Sequence, residues 1–278
     1  MMCRLLGITR SGFYSYQTRE RRKPKDDPAR KELLEWVVKI AESSNFTYGS
    51  RRMQKALNAL GYLLGRRKTK SLMKEANVFV RYRKKYKVTT NSNHKHPVFE
   101  NVLARQFQVN EPNRAYVSDI TYVWTQEGWL YLTVMIDLFS RKVVGWCMSS
   151  RMKADIVCNA LTMAIWQRKP NSGLIVHSDR GVQYASKQYQ KLLKKHAFIG
   201  SMSRKGDCWD NSVAESFFSR LKEERVNWRN YQTRAEAKQD ILNYITMFYN
   251  SRRLHSTLDY CSPNQFEKNY IHSMRKVA

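Results

Sequence analysis

Tyr116-Val117-Ser118-Asp119-Ile120-Thr121-Tyr122-Val123-Trp124 is the stretch from which the fold of this 278-residue chain can be worked out. Its side chains alternate, so Asp119 and Thr121 project to one face of a strand while Ser118, Ile120 and Tyr122 project to the other. A carboxylate within so apolar a strand is costly unless it is paired or metal-bound. Residues 129–136 and 143–148 are rich in β-branched and aromatic side chains and read as two further strands. Turns at Gly128 and Ser140 keep the connections short, which suits an antiparallel meander. A helical pattern over 153–167 follows, and then the apolar run Leu174-Ile175-Val176 leads into His177-Ser178-Asp179. Further helices are predicted over 186–196, 211–223 and 235–250.

Three meandering strands, a helix and a returning buried strand describe an α/β fold, a mixed sheet of ribonuclease-H type flanked by helices, over residues 113–278. Upstream the pattern is all-α. A helix over 28–43 puts Leu33, Leu34, Val37, Ile40 and Ala41 on one face. Tyr48-Gly49-Ser50 breaks it, Ser50 caps a second helix that ends at Gly61, and a third covers 66–76. Residues 26–83 thus form a small basic three-helix domain of helix-turn-helix character. Its candidate phosphate contacts are Arg51, Arg52, Arg66, Arg67, Lys68 and Lys70. The opening residues 5–14 read as a helix end, a Gly turn and a new helix capped by Thr9. Residues 1–25 then read either as half of a helix-turn-helix with a basic arm, which would make this the downstream part of a longer product, or as an ordinary helical hairpin. Residues 84–112 are polar and are expected to be a linker.

Charge narrows the function. Fifty Lys and Arg against 23 Asp and Glu leave +27, a charge that repels itself unless a polyanion neutralises it. Residues 1–110 hold 25 basic and 8 acidic side chains, net +17, and the other 168 residues carry +10, so the N-terminal part is the expected DNA-grasping part. No apolar run approaches the ~20 residues of a membrane span, and none resembles a signal peptide. Five scattered cysteines lack zinc-knuckle spacing, and His94 and His96 have no cysteine nearby, so a zinc site is rejected. A reduced, cytoplasmic setting is expected.

Phosphodiester chemistry with an in-line nucleophile needs charge compensation at the attacking and leaving oxygens, which divalent ions held by carboxylates supply. Asp179 ends an apolar strand, at the carboxyl edge where open α/β sheets bind ligands. Glu215 lies on a helix whose apolar stripe is Ala214, Phe217, Phe218 and Leu221; Asn211, Glu215 and Lys222 form the adjacent stripe. Lys222 would project toward a bound phosphate. With 23 acids in the chain, spacing alone leaves Asp137, Asp207 and Asp210 in contention.

Three ordered blocks decide among them. Asp119-Ile120-Thr121-Tyr122, the stretch from His177 to Tyr184 and the stretch from Asp210 to Phe218 resemble the catalytic blocks of bacterial insertion-sequence transposases, the OrfB products of the IS-three family and relatives of retroviral integrases. The 59 residues between Asp119 and Asp179, and the 35 between Asp179 and Glu215, resemble that family's spacing. So do Lys222 after the glutamate, Tyr249-Asn250-Ser251-Arg252-Arg253-Leu254-His255-Ser256 and Ser262-Pro263. Tyr116 stands where the family commonly has Trp, and Asp259 where it often has Gly. The resemblance implies a DDE transposase with Asp119, Asp179 and Glu215 as catalytic and metal-holding residues. It implies two Mg²⁺ ions, with Mn²⁺ able to substitute, and DNA cleavage and strand transfer at terminal inverted repeats and target DNA. An upstream OrfA product joined by frameshifting and homo-oligomerisation on DNA are the expected partnerships, at the bacterial nucleoid. Arg253 and His255 are expected near the site or DNA, His177 packs beside the site, and Trp209 is a candidate for stacking on an unpaired base. The rivals are a non-catalytic DNA-binding regulator or decayed transposase, and a nuclease that never joins ends.

Overall fold

The computed structural model describes residues 7–22, 27–81, 99–204 and 208–277. They belong to two compact units, Met1–Val80 and Arg81–Ala278. Residues 84–98 of the expected linker, with His94 and His96, lie outside the described residues, as does Asp207.

The first unit holds α1 (Arg10–Arg22), α2 (Pro28–Ser43), α3 (Ser50–Ala59) and α4 (Arg66–Glu75). Thr9 caps α1 by accepting from the Gly12 amide at 3.1 Å, and Asp27 caps α2. Ser50, expected as a cap, is instead the first residue of α3, behind Gly49, and its hydroxyl accepts from Arg66 Nε at 3.3 Å. The apolar faces of α2, α3 and α4 meet in a core of Val37, Ala41, Met53, Leu57, Leu72 and Met73. A bidentate Arg30–Glu75 pair, 2.9 and 2.7 Å, ties α2 to α4.

The second unit is built on a five-stranded sheet of order β3-β2-β1-β4-β5: β1 (Ala115–Thr125), β2 (Gly128–Asp137), β3 (Val143–Ser149), β4 (Ile175–Ser178) and β5 (Ile199–Met202). β1 to β3 form the antiparallel meander; β4 runs parallel to β1, and β5 parallel to β4. This is the ribonuclease-H-like arrangement expected, with helices on both faces. One face, with Val117, Val123, Leu132 and Val134, packs on α7 (Ser212–Glu224) and α8 (Arg234–Asn243). The other face, with Tyr116, Met135, Val144 and Val176, packs on α5 (Ala154–Arg168) and α6 (Lys187–Lys195). α8 continues as a π-helical turn, Tyr244–Tyr249, and α9 (Pro263–Val277) follows.

Asp137 has a structural role at the end of β2. It is fully buried and accepts from the Asn113 and Phe139 amides, both at 2.9 Å, while Arg168 bridges it to Glu267. Residues 99–112, expected as linker, are irregular but packed. Leu103 joins the sheet core, and the Phe99 ring occupies the space beside Gly200 in β5, 2.8 Å from where a Cβ would sit.

Gly145 permits the closest approach between β3 and α5. A Cβ there would fall inside contact distance of the Ala160 carbonyl and 2.9 Å from the Ala164 backbone. Gly145→Ala is expected to destabilise the protein by at least the ~1–3 kcal/mol typical of overpacking, read as a lower urea midpoint at unchanged slope.

Candidate active site

The parallel ladder pairs Val117 with His177 and Ser118 with Ser178. Asp119 and Asp179 are each the next residue, so they emerge side by side on neighbouring strands, whose spacing is about 4.8 Å. β4 ends at Ser178 while β1 runs on to Thr125, so the two chains part at the aspartates. The Asp179 carboxylate accepts from the Gly181 amide at 2.9 Å, which turns the chain away. Asp119 accepts from the Ile120 amide at 2.7 Å.

Asp119 shares its face with Val117 and Val123, the face covered by α7. Ala214, Phe217, Phe218 and Leu221 fasten the helix there. Glu215, from the adjacent stripe, is exposed at the rim. Asn211, just before α7, donates to the Ser118 carbonyl at 3.1 Å and so fixes the helix start one residue from Asp119. Asp210 is the second anchor. It is fully buried and accepts from Asn101, Arg105 and Arg204 at 2.7–3.1 Å, and the Arg204 bonds lead in holding its carboxyl far below the usual range. A carboxylate so saturated is a structural acid.

The remaining acids feel one another. Burial, then the negative charge of Asp179, holds Asp119 well above the usual carboxylate range; Glu215 adds to this, and Lys222 opposes it. Burial and Asp179 likewise raise Glu215. Burial lowers the half-buried Lys222, against the pull of Asp119. Buried Tyr184, hydrogen-bonded to Ser118 Oγ at 2.8 Å, is raised by burial and then by both aspartates. Among the described residues, no group of three His, Cys, Asp or Glu side chains stands close enough together to hold a metal ion as placed. The aspartates are neighbours by register, and Glu215, at the rim, is near enough for its charge to raise Asp119.

His177 is fully buried between Ser201 (2.9 Å) and Ser203 (3.3 Å), with its pKa lowered by burial to about 4, so it packs as a neutral ring. Trp209 is 69% exposed beside Asp210. Arg51, Arg66, Arg67, Lys68 and Lys70 are exposed on the first unit; Arg52 is half-buried, its guanidinium 5.6 Å from the Tyr48 ring centroid.

Arg253 corrects the expectation of a DNA contact. Its side chain is 2% exposed and makes a bidentate pair with Glu224 at 2.8 and 2.6 Å, 5.7 Å from the Tyr249 ring centroid. Tyr244 donates to the same carboxylate at 2.8 Å. The π-helical turn is what presents Tyr244 and Tyr249 to this buried charge. His255, half-buried, pairs through Nδ1 with the Thr257 hydroxyl at 2.8 Å. The Asn211–Ser118 bond, the clamp on Asp210 and the Tyr184–Ser118 bond are not readable from the sequence, although all three residues stand in the blocks that carry Asp179 and Glu215. Because Glu224 ends the helix that carries Glu215, Arg253→Ala is expected to cost about 3–5 kcal/mol, the penalty for a buried charge left alone. Replacing both partners by apolar residues should cost less, as a double-mutant cycle of urea unfolding will measure.

Comparison with known proteins agrees with this architecture. Residues 28–86 match a family described as an HTH-like domain, and residues 109–208 and 215–271 match two described as integrase core domains. The chain is 40% identical over 270 residues, 97% of its length and 98% of the relative's, to a 31 kDa insertion element IS600 protein of Shigella sonnei. It is 40% identical over 266 residues, 96% of its length and 92% of the relative's, to transposase InsF for insertion sequence IS3A of Escherichia coli K12. The HTLV-2 integrase catalytic core domain, solved in complex with magnesium, is similar at a TM-score of 0.43 and 14% identity, covering 56% of this chain and 96% of that one. On the near full-length identity to InsF and the two integrase-core matches, the chain belongs to the IS3 family of insertion-sequence transposases, enzymes of the DDE transposase and integrase class.

Proposed function

We propose that Asp119, Asp179 and Glu215 are the catalytic carboxylates of a transposase that cleaves DNA at insertion-sequence ends and joins the freed 3′-hydroxyl to another strand. The register carrying Asp119 and Asp179 out side by side beneath the helix of Glu215 is the observation that supports this most directly.

The donor set suits a hard divalent cation, because three carboxylates offer only oxygen ligands. Burial and then the charge of Asp179 raise the proton affinity of both Asp119 and Glu215, a repulsion that a bound divalent cation would relieve. Mg²⁺ is the proposed resident, as two ions, with Mn²⁺ able to replace it. Asp119 would be shared between them, and Asp179 and Glu215 would each serve one. Glu215 starts from an exposed position, so its flexible side chain must turn inward to take part. When bound, such ions offset charge on the attacking and leaving oxygens of the phosphodiester. The chain's own residues bind and orient. Lys222 takes a backbone phosphate near Asp119, Asn211 and Asp210 hold the helix start, and Trp209 offers a ring to an unpaired base.

The first unit is proposed to grip the terminal repeats. α4 begins Arg66-Arg67-Lys68 with no acid in its first turn, so cations crowd the positive end of the helix dipole. A phosphate backbone relieves that arrangement. The proposed wider assembly is a homo-oligomer on DNA, with an OrfA product as partner and the nucleoid as setting. No helix among the described residues is long and apolar enough to cross a membrane.

Labelled element-end DNA with Mg²⁺ should be cleaved and joined to target by the wild type, and Asp179→Ala should do neither. Equal joining by both proteins would end the mechanism, cleavage without joining would mark a nuclease, and inactivity of both would favour a DNA-binding regulator. Independently of activity, Mg²⁺ or Mn²⁺ should raise the melting temperature, by the equivalent of ~2.7 kcal/mol at a hundred times Kd, and Asp119→Asn should abolish that rise. Binding to end DNA should weaken with salt at a log-log slope of about −0.9 per phosphate neutralised. Replacing Arg66 and Arg67 by Ala should flatten the slope by about two such increments.

A further inference from the structure

Lys222 lies over an aromatic ladder that the reaction described above leaves unused. Its Nζ is 5.0 Å from the centroid of the Tyr122 ring. Tyr122 meets Trp129 edge-to-face, with centroids 4.9 Å apart and an interplanar angle of 83°, and Trp129 meets Trp124 at 4.8 Å and 73°. Trp124 and Trp129 face one another across the β1–β2 ladder, and Tyr122 lies diagonally from Trp129, within the range in which cross-strand rings interact. Tyr122, Trp129 and Trp124 are 38, 43 and 53% exposed, so burial of apolar area is a poor reason for three large rings to gather there. β4 stops at Ser178, so it does not extend alongside the part of β1 that carries Tyr122.

We infer that Tyr122, its ring plane fixed by Trp129 and Trp124, is a positioning residue that holds the Lys222 ammonium where a DNA phosphate meets Asp119. A lysine head on a four-carbon stem is mobile, and localising it costs rotamer freedom. The electron-rich face of an aromatic ring offsets that cost without neutralising the charge. A phosphate approaching the acids therefore meets a cation already in place.

This inference rests on the phosphate role of Lys222 proposed above, and the experiment separates the two. Affinity for element-end DNA, its salt slope and the KM and kcat of strand transfer are measured for wild type, Lys222→Ala, Tyr122→Leu and Tyr122→Phe, with melting temperatures to exclude unfolding. Tyr122→Leu should weaken end binding about three- to thirtyfold, the range of a partly desolvated cation–π contact. The loss should appear in KM more than in kcat, with a salt slope flatter by up to the single increment lost in Lys222→Ala. Tyr122→Phe, which keeps the ring, should restore binding to near wild type. In the Lys222→Ala background Tyr122→Leu should add no further loss. Impaired Lys222→Ala beside a Tyr122→Leu that binds like wild type, or a Tyr122→Phe as poor as Leu, would overturn the positioning role. Wild-type binding by Lys222→Ala would overturn the phosphate role itself, and the inference with it. Loss of cleavage in Asp179→Ala bears on neither, because the binding readout needs no turnover.

Discussion

The parallel pairing of β1 with β4 is the constraint on which the rest of the second unit depends. Side chains in a strand alternate with a period of two, so a slip of one residue would turn Asp119 or Asp179 to the opposite face. The register is held by the residues below the acids. Ala115, Tyr116, Val117 and Ser118 pair with Ile175, Val176, His177 and Ser178, and Tyr116 and Val176 are locked into the core on one side while Val117 is locked in on the other. Apolar burial beneath the site thus decides where two charged side chains emerge above it. The cost of burying Asp119 and bringing it beside Asp179, visible in its raised proton affinity, is borne by packing several residues away.

The helix carrying Glu215 needs comparable definition, and it is fastened at both ends by buried polar contacts. At its start are the Asn211–Ser118 bond and the Asp210 cluster with Arg105, Arg204 and Asn101. At its end Glu224 meets Arg253 and Tyr244, while Arg225 makes a bidentate pair with Asp240, which also accepts from Tyr231. Buried ion pairs are weak sources of net stability but severe penalties when half-broken. They therefore suit a helix whose rotation or translation by one turn would carry Glu215 away from the aspartates. The apolar stripe of Ala214, Phe217 and Leu221 attaches the helix, and the ion pairs select among its possible seatings.

Much of this was legible in residue order. Alternation across 116–124 and the apolar run at 174–176 announced the two strands, and helical periodicity announced α2 to α8 to within a residue or two at most ends. Four residues of β5 escaped because Ile199-Gly200-Ser201-Met202 has neither alternation nor length, and its Gly makes sense only once the Phe99 ring is seen against it. Phe99 and Leu103 were obscured by a polar neighbourhood that resembled a linker. Arg253 misled because a cation near acidic blocks suggests a phosphate, whereas its partner Glu224 lies 29 residues away and no local pattern reveals the pairing. Asp259, where the family often has Gly, adopts φ +49, so the left-handed backbone that favours Gly is retained there at some strain. Tyr116, in place of a family Trp, buries its ring and donates its hydroxyl to Asn113 at 2.6 Å.

A chain of net charge +27 brings Asp119 and Asp179 out on neighbouring strands, with Glu215 near enough to raise the proton affinity of Asp119, and the two facts belong together. Long-range potential depends on the summed charge, so the molecule as a whole draws a polyanion. Within a few ångströms the local acids dominate, and they would repel the phosphate that the long-range field delivers. The proposed chemistry needs positive charge to enter at close range, and Lys222 is the proposed fixed part of that supply. It is half-buried and offsets only part of what Asp119, Asp179 and Glu215 carry together. The remainder is what the proposed divalent cations would supply. Attraction at a distance and repulsion at contact therefore follow from the same sequence, while buried arginine networks occupy Asp137, Asp210, Glu224 and Asp240.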